Sequence, residues 1–193
     1  MAATETTQDA VIVIPPKNQD KIEVVTTETG TAVIVSEATK KVSFEVEEDG
    51  KVATTGAAIS KAIFTFTGSG TVEITNDAIK DSKILGDSGD NAVSIGSSSL
   101  PVDTAAKDVK IKAGEGSDTV TVAASVAKNI KVDLGSGNDA DNVTIETDLN
   151  DIKNMKIKNF GKEDTFTFKG QTFTFKDLKN DNPFSPNITF DFS

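Results

Sequence analysis

The chain has no cysteine, histidine, tryptophan, tyrosine or arginine; all twenty of its basic residues are lysines and its only aromatic residue is phenylalanine. Without His and Cys there is no imidazole general base, no thiol nucleophile and no common zinc ligand. Without Arg there is no bidentate clamp for phosphate or carboxylate. With phenylalanine alone, the stacking platforms of sugar and nucleobase sites are thin. Thirty acidic residues against twenty lysines give a formal charge of −10 and a pI near 4.5, which opposes nucleic-acid binding. No apolar run approaches the roughly 18 residues that a membrane-spanning helix needs. Met1 to Ala10 lacks the basic start and long apolar centre of a signal peptide.

Threonine, serine, glycine and aspartate are abundant, helical periodicity is scarce, and alternating runs such as Thr119-Val120-Thr121-Val122 recur. Four of these runs break at an acidic glycine turn: Gly86-Asp87-Ser88-Gly89-Asp90, Gly114-Glu115-Gly116-Ser117-Asp118, Gly135-Ser136-Gly137-Asn138-Asp139 and Gly161-Lys162-Glu163-Asp164. Gly68, Gly86, Gly114, Gly135 and Gly161 lie 18, 28, 21 and 26 residues apart, so each repeat is a coil with one such turn and a second turn elsewhere. Lys107-Asp108-Val109-Lys110-Ile111, Lys128-Asn129-Ile130-Lys131-Val132 and Lys153-Asn154-Met155-Lys156-Ile157 mark that second corner, and Lys80-Asp81-Ser82-Lys83-Ile84 is a looser copy. The segment Ile63 to Ile74 repeats the strand, glycine, strand outline with no acid in its turn and reads as a metal-free coil.

Glycines at positive φ bring carbonyl oxygens towards an ion, and aspartate adds a charged oxygen. Stacked strands lie about 4.8 Å apart, so aspartates stacked at that spacing repel by about 0.9 kcal/mol per pair even in water, and a cation between the turns reverses the sign. The candidate ligands are Asp87, Asp90, Glu115, Asp118, Asp139, Asp141 and Asp164, with backbone oxygens near Gly86, Gly114, Gly116, Gly135 and Gly137. Ordinary polar turns use the same residues, so repetition carries this reading more than any single copy.

Ala113 to Thr121 fits eight of the nine positions of Gly-Gly-x-Gly-x-Asp-x-U-x, and Gly135 to Asp139 keeps Gly-x-Gly-x-Asp. Roughly residues 61 to 168 resemble the haemolysin-type, or RTX, calcium-binding repeats of type I secreted toxins, proteases, adhesins and surface-layer proteins. The departures are a coil spacing far from nine residues, Asp141 where the apolar residue belongs, and Val143 two positions late. The resemblance implies calcium as cofactor, an extracellular or cell-surface location, and type I export through an uncleaved C-terminal signal. The alternating tail Asn187-Ile188-Thr189-Phe190-Asp191-Phe192-Ser193 is similar to such signals.

The expected fold is therefore all-β, a parallel β-helix or β-roll-like solenoid. Residues 1–22 form an N-terminal arm, 23–60 an N-terminal β cap, 61–159 the solenoid, and 160–193 a C-terminal cap. Eight of the eleven phenylalanines fall between Phe160 and Phe192, and Thr165 to Phe175 reads as a hairpin closing the end of the core. Asp49-Gly50 reads as a hairpin turn between Val42–Val46 and Lys51–Ala53. Val11-Ile12-Val13-Ile14, ended by Pro15-Pro16, reads as a first strand or as one donated to a neighbouring subunit. Self-association through that strand or through the phenylalanine cap, and a cell-surface glycan, are the expected partners. The expected function is non-enzymatic: a calcium-binding surface-layer, matrix or filament subunit. A carbohydrate-active β-helix and a monomeric calcium buffer are the alternatives.

Overall fold

The computed structural model describes residues 10–14, 16–27, 30–97, 103–136 and 138–193. Strands recur in threes, and each set makes one turn of a three-faced parallel solenoid. Face one carries Gly30–Val35, Gly50–Gly56, Gly70–Asn76, Asn91–Gly96, Thr119–Ala123, Asn142–Ile145 and Thr165–Phe168. Face two is built of shorter strands: Thr39–Lys40, Ile59–Ser60, Ala78–Lys80, Ala105–Lys107, Val126–Lys128 and Ile152–Lys153. Face three carries Ser43–Val46, Ile63–Phe66, Lys83–Leu85, Lys110–Lys112, Lys131–Asp133 and Met155–Phe160. Six coils result.

Alternation explains the core, because every second residue of a strand points inward. Val52, Val72, Val93, Val120, Val143 and Phe166 stack in register on face one. Phe44, Phe64, Ile84, Ile111, Val132 and Ile157 do the same on face three. All twelve side chains are buried, and the Phe44 and Phe64 rings stack with centroids 4.4 Å apart.

The corner between faces two and three explains the lysine-flanked signature. Lys41, Lys61, Asp81, Asp108, Asn129 and Asn154 occupy it one per coil, each at a positive φ between 50° and 61°. Asn and Asp tolerate this left-handed conformation better than other non-glycine residues. The residue that follows, from Val42 through Ala62, Ser82, Val109 and Ile130 to Met155, turns inward and is buried. Asn154 Nδ2 donates to Asn129 Oδ1 at 3.1 Å and Asn129 Nδ2 donates to Asp108 Oδ1 at 2.7 Å, so the last three corners are also linked through their side chains.

Both ends are closed. Ala10–Val13 pairs antiparallel with Ser43–Val46 on face three, and Ile22–Thr27 pairs antiparallel with Gly30–Val35 on face one. Asn18, in the 3-10 turn between them, donates from Nδ2 to the Lys40 carbonyl on face two. The Val11–Val13 strand is thus paired within its own chain. At the far end Thr165–Phe168 and Gln171–Thr174 form the expected hairpin, which turns through Lys169 and Gly170. The short helix Phe175–Asn180 follows, and the tail strand Ile188–Phe192 joins face three beside Met155–Phe160. Phe184 sits over the end of the core with its ring 4.9 to 5.3 Å from those of Phe166, Phe168 and Phe173.

Two expectations change. The segment 23–60 is only partly a cap, because the coils begin at Gly30. Asp49-Gly50 is a solenoid corner and no hairpin: the strands it joins lie on faces three and one. Asp49 has φ 58° and the Gly50 amide closes onto the Glu47 carbonyl at 2.8 Å, and this tight turn serves a corner as well as a hairpin.

Candidate functional site

The acidic glycine turns all lie at the corner between faces three and one, stacked along one edge of the solenoid. The last residue of each turn sets the site. That position is glycine in coils two and three, as Gly50 and Gly70, and Asn91 in coil four. It then becomes Asp118, Asp141 and Asp164 in succession.

These three aspartates form a column linked from coil to coil. Asp118 Oδ1 accepts from the Asn91 amide at 2.8 Å, Asp141 Oδ1 from the Asp118 amide at 2.8 Å, and Asp164 Oδ1 from the Asp141 amide at 3.0 Å. Asp164 Oδ2 also accepts from the Gly161 amide at 2.6 Å. All three side chains are buried. The second oxygen of Asp118, Oδ2, is buried and has no hydrogen-bond partner among the described residues.

Burial governs the electrostatics. It pushes the Asp118 carboxyl up to about 6; the hydrogen bond from the Asn91 amide pulls the other way, and Asp90 and Asp139 add repulsion. It pushes Asp141 up to about 7 against the bond from the Asp118 amide, with Asp164, Asp118 and Asp139 adding to the rise. Asp164 is raised by burial against its two amide bonds, with Asp139 and Glu163 as the nearby like charges. Among the described residues no lysine pairs with any of these three.

The other expected residues surround the column. Asp90 Oδ1 accepts from the Ser117 amide at 2.8 Å and Asp139 Oδ2 from the Gly116 amide at 3.2 Å, so two carboxylates hold the Gly114–Asp118 turn from its two neighbours. Asp87 closes its own turn on the Gly89 amide at 3.1 Å, and Glu115 is exposed. These two residues, with Asp133 and Lys112, line an open groove of about 510 Å³ on the same corner. Gly114 and Gly135 are required by position: both have positive φ, and a Cβ on either would run into the backbone carbonyl of the coil before it, Asp87 for Gly114 and Gly114 for Gly135. Gly137 lies outside the described residues.

Asp139, Asp141 and Asp164, with Leu134, Gly135 and Asn159, line a narrow, partly enclosed space of about 10 Å³, room for about one water-sized sphere. Among the described residues no three acidic side chains draw together closely enough to enclose a metal ion. The donor set is hard oxygen from carboxylate and carbonyl, as calcium requires, and it is arranged as a ladder along the corner.

Asp141 is the equivalent of Asp118, because the turn from Leu134 to Asp141 is two residues longer than the turn from Ala113 to Asp118. Two participants escape a motif search. Asn91 begins the column, and Asp133 accepts from Asn159 Nδ2 at 2.7 Å on the neighbouring coil. A usable signal for the column exists: an Asx residue two positions before the first buried apolar residue of the strand, as in Asn91-Ala92-Val93, Asp118-Thr119-Val120, Asp141-Asn142-Val143 and Asp164-Thr165-Phe166.

No family model, no curated protein and no solved structure matches this chain. Among the described residues no helix is long and apolar enough to cross a membrane.

Proposed function

We propose that the protein is a calcium-binding structural solenoid that works outside the cell as a surface-layer, matrix or filament subunit, and that calcium links its folding to its assembly. The observation that carries this reading is the column of buried aspartates, which among the described residues has no cationic partner and leaves Asp118 Oδ2 without a hydrogen bond. Buried carboxylates need a proton, a cationic side chain or a metal, and near neutral pH the first is being lost. A divalent ion drawn in between Asp139, Asp141 and Asp164, with these carboxylates closing on it and Asp90 and Asp118 beside it on the same corner, would neutralise the column. Backbone carbonyls and water would complete its oxygen shell. Binding would then favour the folded state by mass action.

Sedimentation and thermal unfolding of the purified chain in EDTA, and at stepped calcium with magnesium as control, test this. Calcium-specific compaction, assembly and a raised melting temperature are expected. A chain indifferent to calcium overturns the metal reading, and a stabilised monomer at every concentration favours a buffer over a subunit.

The groove lined by Asp87, Glu115, Asp133 and Lys112 favours a second reading, a carbohydrate-active β-helix. Chain cleavage on incubation with acidic polysaccharides would establish it. Intact substrate after prolonged incubation removes it.

A further inference from the structure

The lysines of the corner signature form two continuous files. On face two Lys80, Lys107, Lys128 and Lys153 stand in register, and on face three Lys83, Lys110, Lys131 and Lys156 do the same. The left-handed residues Asp81, Asp108, Asn129 and Asn154 run between the files. Lys107 pairs with Asp108 at 3.8 Å and Lys156 with Asp191 at 3.4 Å; among the described residues the other six have no carboxylate partner. Lys110, Lys131 and Lys156 line a groove of about 470 Å³ together with Asn129, Ile130 and Asn154, and Asp108 is the one carboxylate in its lining. A chain of net charge −10 thus carries a strip of two lysine files along four coils of one corner, with Asp81 and Asp108 between them in the first two coils and only the neutral Asn129 and Asn154 between them in the last two.

From this we infer that the strip is a binding site for a linear anionic polysaccharide bearing carboxylates, laid along the solenoid axis. Like charges repeated about every 4.8 Å repel one another, and a partner with regularly spaced negative charge relieves that repulsion along its whole length. The step is roughly that of one sugar ring. Each corner asparagine uses one amide hydrogen on the coil below and keeps the other for a sugar hydroxyl.

The chemistry of the strip separates this ligand from other polyanions. Phosphate chains are gripped best by arginine forks and single-stranded bases by aromatic faces, and the strip has neither. A second copy is poorly suited, because its own aspartate column is buried and bonded to backbone amides. The inference is independent of calcium and rests on the opposite side of face three from the aspartates.

The test is isothermal titration of the whole chain, in EDTA, with de-esterified polygalacturonate, its fully methyl-esterified form and single-stranded DNA. Binding of the first alone is expected. Lys110→Gln/Lys131→Gln/Lys156→Gln should weaken it by at least about tenfold, since several simultaneous charge contacts are lost. A control of equal net charge, Lys17→Gln/Lys162→Gln/Lys176→Gln, should leave it unchanged, and the Lys→Arg version of the strip triple should retain it while reporting on folding. Equal loss in both glutamine triples, no binding of polygalacturonate, or DNA binding as tight and as dependent on the strip overturns the inference. So does sedimentation showing that the strip triple abolishes self-association without affecting the polysaccharide. The EDTA keeps the result separate from the calcium reading, which can fail while this one stands.

Discussion

Asp141 accepts a hydrogen bond from one coil and donates its own amide to the carboxylate of the next, so a single residue ties three coils together. Its charge works against its bonds. An acid whose pKa is raised by folding holds more protons when folded, so its contribution to stability is present at low pH and falls as pH rises. For Asp118 and Asp141 the loss runs from the ordinary carboxylate range, near 3.8, up through about 6 and about 7. In chelator, the urea midpoint should therefore be higher at pH 5 than at pH 8, and calcium should flatten the difference. Asp141→Asn keeps the acceptor and removes the charge. It should stabilise the calcium-free chain at pH 8 by about 1–3 kcal/mol, reduce the pH dependence, and blunt the calcium response. A variant that loses stability at pH 8 in EDTA would mean that the charge itself is needed.

At the scale of the element, the corner between faces two and three is where sequence and structure meet most directly. Lys61 holds the left-handed conformation with φ 53°, which for a residue of its kind costs about 1–2 kcal/mol. Lys61→Asn should raise stability by about 0.5–1 kcal/mol, measured by urea unfolding in EDTA and in calcium alike, because Asn tolerates this backbone better. The later corners were legible from sequence since they carry Asp or Asn between lysines. The first two carry Lys41 and Lys61 instead, and for that reason the beginning of the solenoid at Gly30 was not visible. The aspartate column was half legible. Asp118 and Asp164 stand at the ends of recognisable turns, whereas the two extra residues before Asp141 hide its equivalence, which only register against Asp118 restores. Asn91 was silent because it is not acidic, and Asp133 because it ends the strand just before Gly135, ahead of the turn itself.

The whole molecule is a stack whose coils touch mainly their nearest neighbours, so its ends decide how it opens. Phe184 is buried against Phe166, Phe168 and Phe173 at the C-terminal end. Phe184→Ala should cost about 3–5 kcal/mol of cap stability. Hydrogen exchange should show the amides of the last coil, Asn142 to Phe160, losing protection before those of Gly50 to Phe66. Uniform loss across all coils would show that the stack unfolds as one unit.

Where this chain departs from a regular repeat, it does so in its corners. Asn91 and Asp118 are 27 residues apart, Asp118 and Asp141 are 23, and strand register is kept across both steps. Length change is thereby confined to places that no neighbouring strand has to match. A gene for such a molecule can gain or lose a whole coil by an in-frame duplication or deletion while every surviving strand keeps a partner. The rod's reach becomes a heritable quantity that moves in steps of one strand spacing, and the acidic corner and the lysine strip lengthen or shorten with it.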